Sequence, residues 1–281
     1  MTARYSHMTK LGIMQGRLVP PEPNRFQAFP RERWEDEFDL ATQVPFSYIE
    51  WVYDLYGQEV NPLTGDIGRM QSRSRETGVS ILSTCADYFM DRPFLRCSEA
   101  ERAERQEFLH RLLHLAKQVG IQRVVLPFVD ASRIDTETEK DIVVGVLQEA
   151  LPTARETGVE LHLELALGPA DFSRLLDRIP DSLVKANYDS GNSASLGYAA
   201  EEEFAAYGER VGSVHIKDRV RGGGTVPLGT GDANFPALFA ALERIHYQGD
   251  MTLQVARSVP GQEVAWARAN RQFVESYWSL A

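Results

Sequence analysis

The sequence predicts a single (β/α)8 barrel, and three observations carry that reading. Eight short apolar segments alternate with helical patterns along the chain. The 281 residues suit one barrel of about 250 residues, with no second domain's worth of sequence left over. The phrase "RETGV" occurs twice, at 75 and at 155, each time closing a helix just before a strand, as expected of one supersecondary unit used repeatedly. The competing architecture is an open, doubly wound sheet. It usually has fewer strands and a glycine fingerprint after the first, and "IMQGRL" is not one.

In chain order the strands are "LGIMQ" at 11, "FSYIEW" at 46, "SILSTC" at 80, "RVVLPF" at 123, "ELHLEL" at 160, "LVKANYD" at 183, "GSVHIKD" at 212 and "MTLQVA" at 251. Their richness in Val, Ile, Leu and aromatics is that of buried strands. Between strands 3 and 4, Ser98 and Glu101 make a capping-box pattern, Gly120 closes the helix, and Phe108, Leu112, Leu115, Ala116 and Val119 form its apolar stripe. Thr136 and Glu139 repeat the capping pattern before strand 5, in a helix where Pro152 predicts a kink or break. Long loops at 16–30, 52–63 and 86–97 fall at the C-terminal mouth, where barrel enzymes place their chemistry. Residues 1–9 read as a flexible leader without a signal peptide's apolar core, leaving 10–281 as the barrel.

Hydrophobic content of 43% and charged content of 25% are ordinary for a globular protein. A net charge of −10 without a basic stripe argues against nucleic acid as a partner. No apolar run approaches the ~20 residues of a membrane span. The two cysteines, Cys85 and Cys97, have no metal-like spacing and make no disulfide framework, so a cytoplasmic setting is expected. Homo-oligomerisation stays open.

Side chains alternate along a strand, so one parity faces the barrel interior. With Leu161, Leu163 and Leu165 toward the helices, Glu160, His162 and Glu164 face inward. The same alternation sends in Lys185, Asn187 and Asp189, then Ser213, His215 and Lys217, then Thr252 and Gln254. Strands 5 to 8 thus each deliver one polar group near the same end: Glu164, Asp189, His215 and Gln254. Two carboxylates, an imidazole and an amide oxygen suit one divalent cation, Mn²⁺, Mg²⁺ or Co²⁺, with Zn²⁺ accommodated. Each residue alone has a plainer reading: a strand-end acid as a helix cap, His215 as a hydrogen-bonded core histidine.

"LGIMQGRL", "IEW", Glu164 closing strand 5, "NYDSGNSASLGY", "VHIKDR" and "VPLGTGDANFPALFAALERIHYQGDMTLQ" together resemble the xylose isomerase-like TIM barrel superfamily, in particular its sugar phosphate isomerases and epimerases. The resemblance runs from about residue 10 to residue 260. It implies one divalent metal held by Glu164, Asp189, His215 and Gln254, and a small carbohydrate substrate. In the epimerases of that family two carboxylates remove and return a proton alpha to a carbonyl, with the metal as Lewis acid. This chain departs from the pattern at Gln254, where the family has Glu, and at Asn192, where the epimerases and the AP endonucleases have His. "GGTVP" at 223–227 lacks the extra metal ligands of the AP endonucleases, which argues against a DNA-repair nuclease.

Glu164 is therefore expected to keep one half of the acid–base pair while Gln254 loses the other. Two carboxylates and a divalent cation make a neutral site, so the cation is a stronger Lewis acid but more weakly held. Lys217 and Glu50 are the further catalytic candidates, Lys217 also open to an interior salt bridge and Glu50 to orienting a ligand. Asp87 and Asp218, just beyond strand ends, are additional acid–base candidates. Gln15, Arg17, Asp87, Asn192, Asp218 and Arg257 make up the substrate-binding set. The glycine-rich stretch "RVRGGGTVPLGTGDANFP" offers backbone N–H groups to an anion, with Arg219, Arg221 and Arg257 nearby, or else is a loop capped by Asp232 or Asn234. A metal-dependent isomerase or epimerase leads; a dehydratase on a cyclic keto-polyol and a non-catalytic sugar-binding barrel are the alternatives.

Overall fold

The structure, a computed structural model, describes residues 9–280. Along the chain run β1 (Leu11–Met14), α1 (Asp36–Thr42), β2 (Tyr48–Val52), α2 (Ile67–Thr77), β3 (Ser80–Cys85), α3 (Tyr88–Asp91), α4 (Glu99–Val119) and β4 (Arg123–Phe128). There follow α5 (Glu137–Thr157), β5 (Glu160–Leu165), α6 (Pro169–Asp177), β6 (Val184–Asp189), α7 (Ser190–Leu196), α8 (Ala200–Tyr207) and β7 (Val211–Ile216). The last elements are β8 (Asp218–Arg219), β9 (Thr225–Val226), α9 (Phe235–Arg244), β10 (Asp250–Leu253) and α10 (Glu263–Glu275).

The chain is a (β/α)8 barrel. Its strands close in the order β1-β10-β7-β6-β5-β4-β3-β2. Closure is made by β1 against β10, with Leu11 opposite Met251 and Gly12 opposite Thr252, which rules out the open sheet. All neighbouring barrel strands are parallel. The short β8–β9 pair is an antiparallel hairpin over the mouth. Leu161, Leu163, Val214, Ile216, Met251 and Leu253 are fully buried between sheet and helices.

Local chemistry sets the helix ends. Ser98 Oγ accepts from Glu101 N while Glu101 Oε2 accepts from Ser98 N, completing the box that opens α4. Thr136 and Glu139 do the same for α5. Gly78 and Gly158, the glycines of the two "RETGV" phrases, adopt φ of 72° and 71°, the left-handed cap that a side chain disfavours. The break expected at Pro152 is absent: α5 runs through it to Thr157. Pro152 and Gln148, four residues before it, both lie on the exposed face, where water can satisfy the carbonyl that proline leaves unbonded.

Of the leader expected at 1–9, residues 1–8 lie outside the described residues. Thr9 pairs with Leu280, and its hydroxyl accepts from Trp278 Nε1 at 3.0 Å. Among the described residues no helix is long and apolar enough to cross a membrane.

The loop after β1 is tied down as a strap across the mouth. The buried Glu37 carboxylate accepts from Gly16 N at 2.7 Å and Leu18 N at 3.2 Å. Asp54 accepts from Phe29 N at 2.9 Å, and Arg17 Nε donates to Val255 O at 2.9 Å. These anchors carry Gln27 over the barrel's open end.

Candidate metal centre

Strand ends β5, β6 and β7 bring Glu164, Asp189 and His215 together. One ligand atom from each lies within 4.8 Å of the other two, and all three residues are buried. Register explains the meeting: Asp189 is opposite His215, which is in turn opposite Thr252, the last inward residue of β10. Gln254 lies just past β10, its N–H donating to Ile216 O at 3.1 Å.

Asp189 caps a helix with one carboxylate oxygen and turns the other toward the cluster. Its Oδ1 accepts from Gly191 N and Asn192 N at 2.9 and 2.8 Å, opening α7. Its Oδ2 turns the other way, 3.9 Å from His215 Nδ1. Glu164 Oε2 is 3.3 Å from the same nitrogen and accepts from Asn187 Nδ2 at 3.2 Å, while Oε1 accepts from Asn192 Nδ2 at 2.6 Å. On the far side of the ring Glu50 Oε1 lies 2.7 Å from His215 Nε2. Burial alone would lower the His215 pKa, but Glu50 and Glu164 overcome it and raise it to about 10. Neither ring nitrogen of His215 has a hydrogen-bond partner although both are buried, and Nδ1 faces two carboxylates. A nitrogen so placed, with Glu50 behind the ring to fix it, fits a shared divalent cation.

Lys217 stands above this group. Its Nζ donates to Asp189 Oδ2 and Asn192 Oδ1 at 3.3 Å each and to Gln254 Oε1 at 3.2 Å. Gly191 makes room for its stem: a Cβ there would come within 2.6 Å of Lys217 Cγ. Gln254 Nε2 donates to Gln27 Oε1 at 3.1 Å, so its carbonyl oxygen is the end turned toward the ammonium. Gln27 is fixed in turn by Arg17 Nη2 at 3.0 Å and by its own donation to Asp87 Oδ2 at 2.7 Å. Nothing in the sequence singled out Gln27, because its place depends on the strap's route and not on any periodicity.

A cavity of about 600 Å³ opens above the cluster, within the range of small-molecule sites. Glu164, Lys217, Gln254, Asp87, Asn192 and Gln27 all line it. Other sequence candidates are not brought to it. Glu50 is fully buried behind His215. Gln15 is fully buried, its Oε1 accepting from Val52 N at 2.9 Å. Arg17 holds Gln27 and Val255 from below the surface. Arg257 donates to Phe26 O at 2.8 Å and to Gly16 O, on the strap's outer side. Asp218 is fully buried, its carboxylate accepting from Gly229, Gly231 and Ala233 N–H at 2.9 to 3.0 Å. The glycine-rich stretch therefore does cradle an anion, but that anion is the chain's own side chain. The cap of α9 is Asn234, accepting from Ala237 N at 3.1 Å.

Residues 38–277 match the xylose isomerase-like TIM barrel family, to which the chain belongs. Its relatives include sugar phosphate epimerases. The chain is 27% identical over 258 residues to the L-ribulose-5-phosphate 3-epimerase UlaE of Salmonella paratyphi C (strain RKS4594), covering 84% of this chain and 88% of the relative. An inosose dehydratase of Clostridium perfringens (strain ATCC 13124) is 25% identical over 151 residues, 46% of this chain and 51% of its own. The fold is also that of the crystal structure of the IOLI protein with a zinc atom, with a TM-score of 0.78 and 18% identity over 97% of this chain and all of the other.

Proposed function

We propose that this chain is a divalent-metal-dependent isomerase or epimerase that moves a proton alpha to the carbonyl of a small sugar. The observation that carries the reading is the buried Glu164, Asp189 and His215 cluster beneath the cavity. These three residues, with the Gln254 carbonyl oxygen, would hold the ion, and Mn²⁺, Mg²⁺ or Co²⁺ suit a mainly oxygen ligand set, with Zn²⁺ accommodated. When bound, such an ion polarises a carbonyl as a Lewis acid. The chain's own residues do the rest: Glu164 takes the proton, Asn187 and Asn192 aim its two oxygens, and Glu50 sets the His215 ring.

The substrate reading is an unphosphorylated sugar. Phosphate binding in barrels draws on free N–H groups near the last strands, and here Asp218 already accepts them. The cavity lining carries five carboxylates against three cationic side chains. The enzyme is read as cytoplasmic, with Cys85 and Cys97 both free.

The test is proton exchange. Protein reconstituted with Mn²⁺ is incubated in D2O with a panel of ketoses and ketose phosphates and followed by proton NMR. Deuterium entering beside the carbonyl of a free ketose is the expected result; its absence throughout the panel overturns the reading. A dehydratase is the second reading, favoured by the missing carboxylate at Gln254 and the inosose dehydratase relative. It predicts a new ultraviolet absorbance from a cyclic keto-polyol.

A further inference from the structure

Proton transfer at a carbon that inverts needs a second group, and Gln254 cannot be it, since an amide does not exchange a proton at neutral pH as a carboxylate does. Three candidates are otherwise engaged. Lys217 Nζ is donated to three acceptors around the metal cluster. Glu50 is sealed behind His215, and the buried Asp218 carboxylate is held by the backbone N–H groups of Gly229, Gly231 and Ala233.

Asp87 is placed differently. It follows β3, is half-buried, and lines the same cavity as Glu164. Each oxygen accepts one hydrogen bond, Oδ1 from Cys85 Sγ at 3.1 Å and Oδ2 from Gln27 Nε2 at 2.7 Å, which leaves acceptor capacity on both. Gln27 is the same side chain that fixes the Gln254 amide. The carboxylate of Asp87 thus stands one amide away from Gln254. Glu164 accepts instead from Asn187 and Asn192 and shares no direct hydrogen bond with Asp87, so each carboxylate is positioned by its own donors.

We propose that Asp87 is the second acid–base residue, exchanging a proton with a substrate carbon held between it and Glu164. This rests on the isomerase reading above. Glu164 takes the proton from the carbon beside the carbonyl, and the C–H electron pair moves onto the carbonyl oxygen. Protonated Asp87 then delivers its proton to the other face of that carbon as the pair returns. Glu164 ends protonated and Asp87 ionised; one proton exchanged with water at each resets the pair. Burial, with the charges of Asp54 and Glu164, pushes the Asp87 carboxyl up to about 6, within reach of both states near neutrality.

The experiment compares wild type, Asp87→Asn and Asp87→Glu, all reconstituted with Mn²⁺, on a ketose that the wild type converts. Both epimer conversion and C–H/C–D exchange are read by NMR in D2O. Asp87→Asn is expected to lose conversion by about 100-fold or more while exchange driven by Glu164 stays within about tenfold. Asp87→Glu should recover part of the conversion, and Mn²⁺ affinity should change by less than about threefold. Undiminished conversion by Asp87→Asn, or equal loss of conversion and exchange, overturns the role of Asp87 alone. A wild type that neither exchanges nor converts any ketose overturns the isomerase reading, and this assignment with it.

Discussion

Among the described residues two histidines are fully buried inside the barrel, each beside glutamate, and they differ in hydrogen bonding and in charge. His162, lower on β5, has both ring nitrogens occupied: Nδ1 with Ser213 Oγ and Nε2 with Glu160 Oε2, each at 2.7 Å. Burial first, then the charges of Arg123 and Lys185, lower its pKa to about 4. His215, higher on β7, is flanked by Glu50 and Glu164, is raised to about 10, and leaves both ring nitrogens without a hydrogen bond. Asn187 joins the two regions, its Oδ1 2.6 Å from Ser213 Oγ and its Nδ2 donating to Glu164. The lesson is that burial does not distinguish scaffold from site. A histidine whose hydrogen bonds are complete reads as scaffold; one facing carboxylates with unpartnered nitrogens reads as a candidate site.

That contrast can be broken most severely at Glu164. Glu164→Gln removes the proposed base and a ligand charge, so deuterium exchange should fall by about 10³-fold, within the span of general-base effects. Retained exchange would mean that the upper cluster is scaffold too. Glu50→Gln leaves the ligands in place but loosens the ring, and titration calorimetry should show Mn²⁺ affinity down by about 10–100-fold. His162→Gln should bind Mn²⁺ at wild-type stoichiometry yet melt a few degrees lower, from a loss of about 1–3 kcal/mol in buried hydrogen bonding.

The last test is the pH dependence of that loss. Between about 4 and 6.5 the unfolded chain binds a proton at position 162 that the folded chain refuses, so His162 makes stability rise with pH. His162→Gln lacks this slope. Its melting deficit should widen as pH rises from about 4 to 6.5 and then level off. A deficit independent of pH would show that His162 is not held neutral.

Strand parity alone put Glu164, Asp189 and His215 on one interior face, because alternation is a local property and register then follows from closure. The capping boxes at Ser98 and Thr136 were legible for the same reason. The routes of the loops were not. Gln27 reaches the mouth because distant groups pin its strap, Glu37 holding the backbone of Gly16 and Leu18 and Asp54 that of Phe29. Asp218, one residue past Lys217, turns its carboxylate instead to the backbone of Gly229, Gly231 and Ala233. The helix did not break at Pro152 because the penalty for proline depends on whether water reaches the freed carbonyl.

The stem of Lys217 passes where a methyl group on Gly191 would have to lie. Position 191 carries no chemistry, yet it constrains the residue that stands over the cluster. Descendants of this chain that keep lysine at 217 are held to glycine at 191, whereas a lineage that shortens the lysine frees its neighbour to vary. The two positions should drift together, and an alanine at 191 beside an intact lysine would mark a barrel whose mouth has been rebuilt.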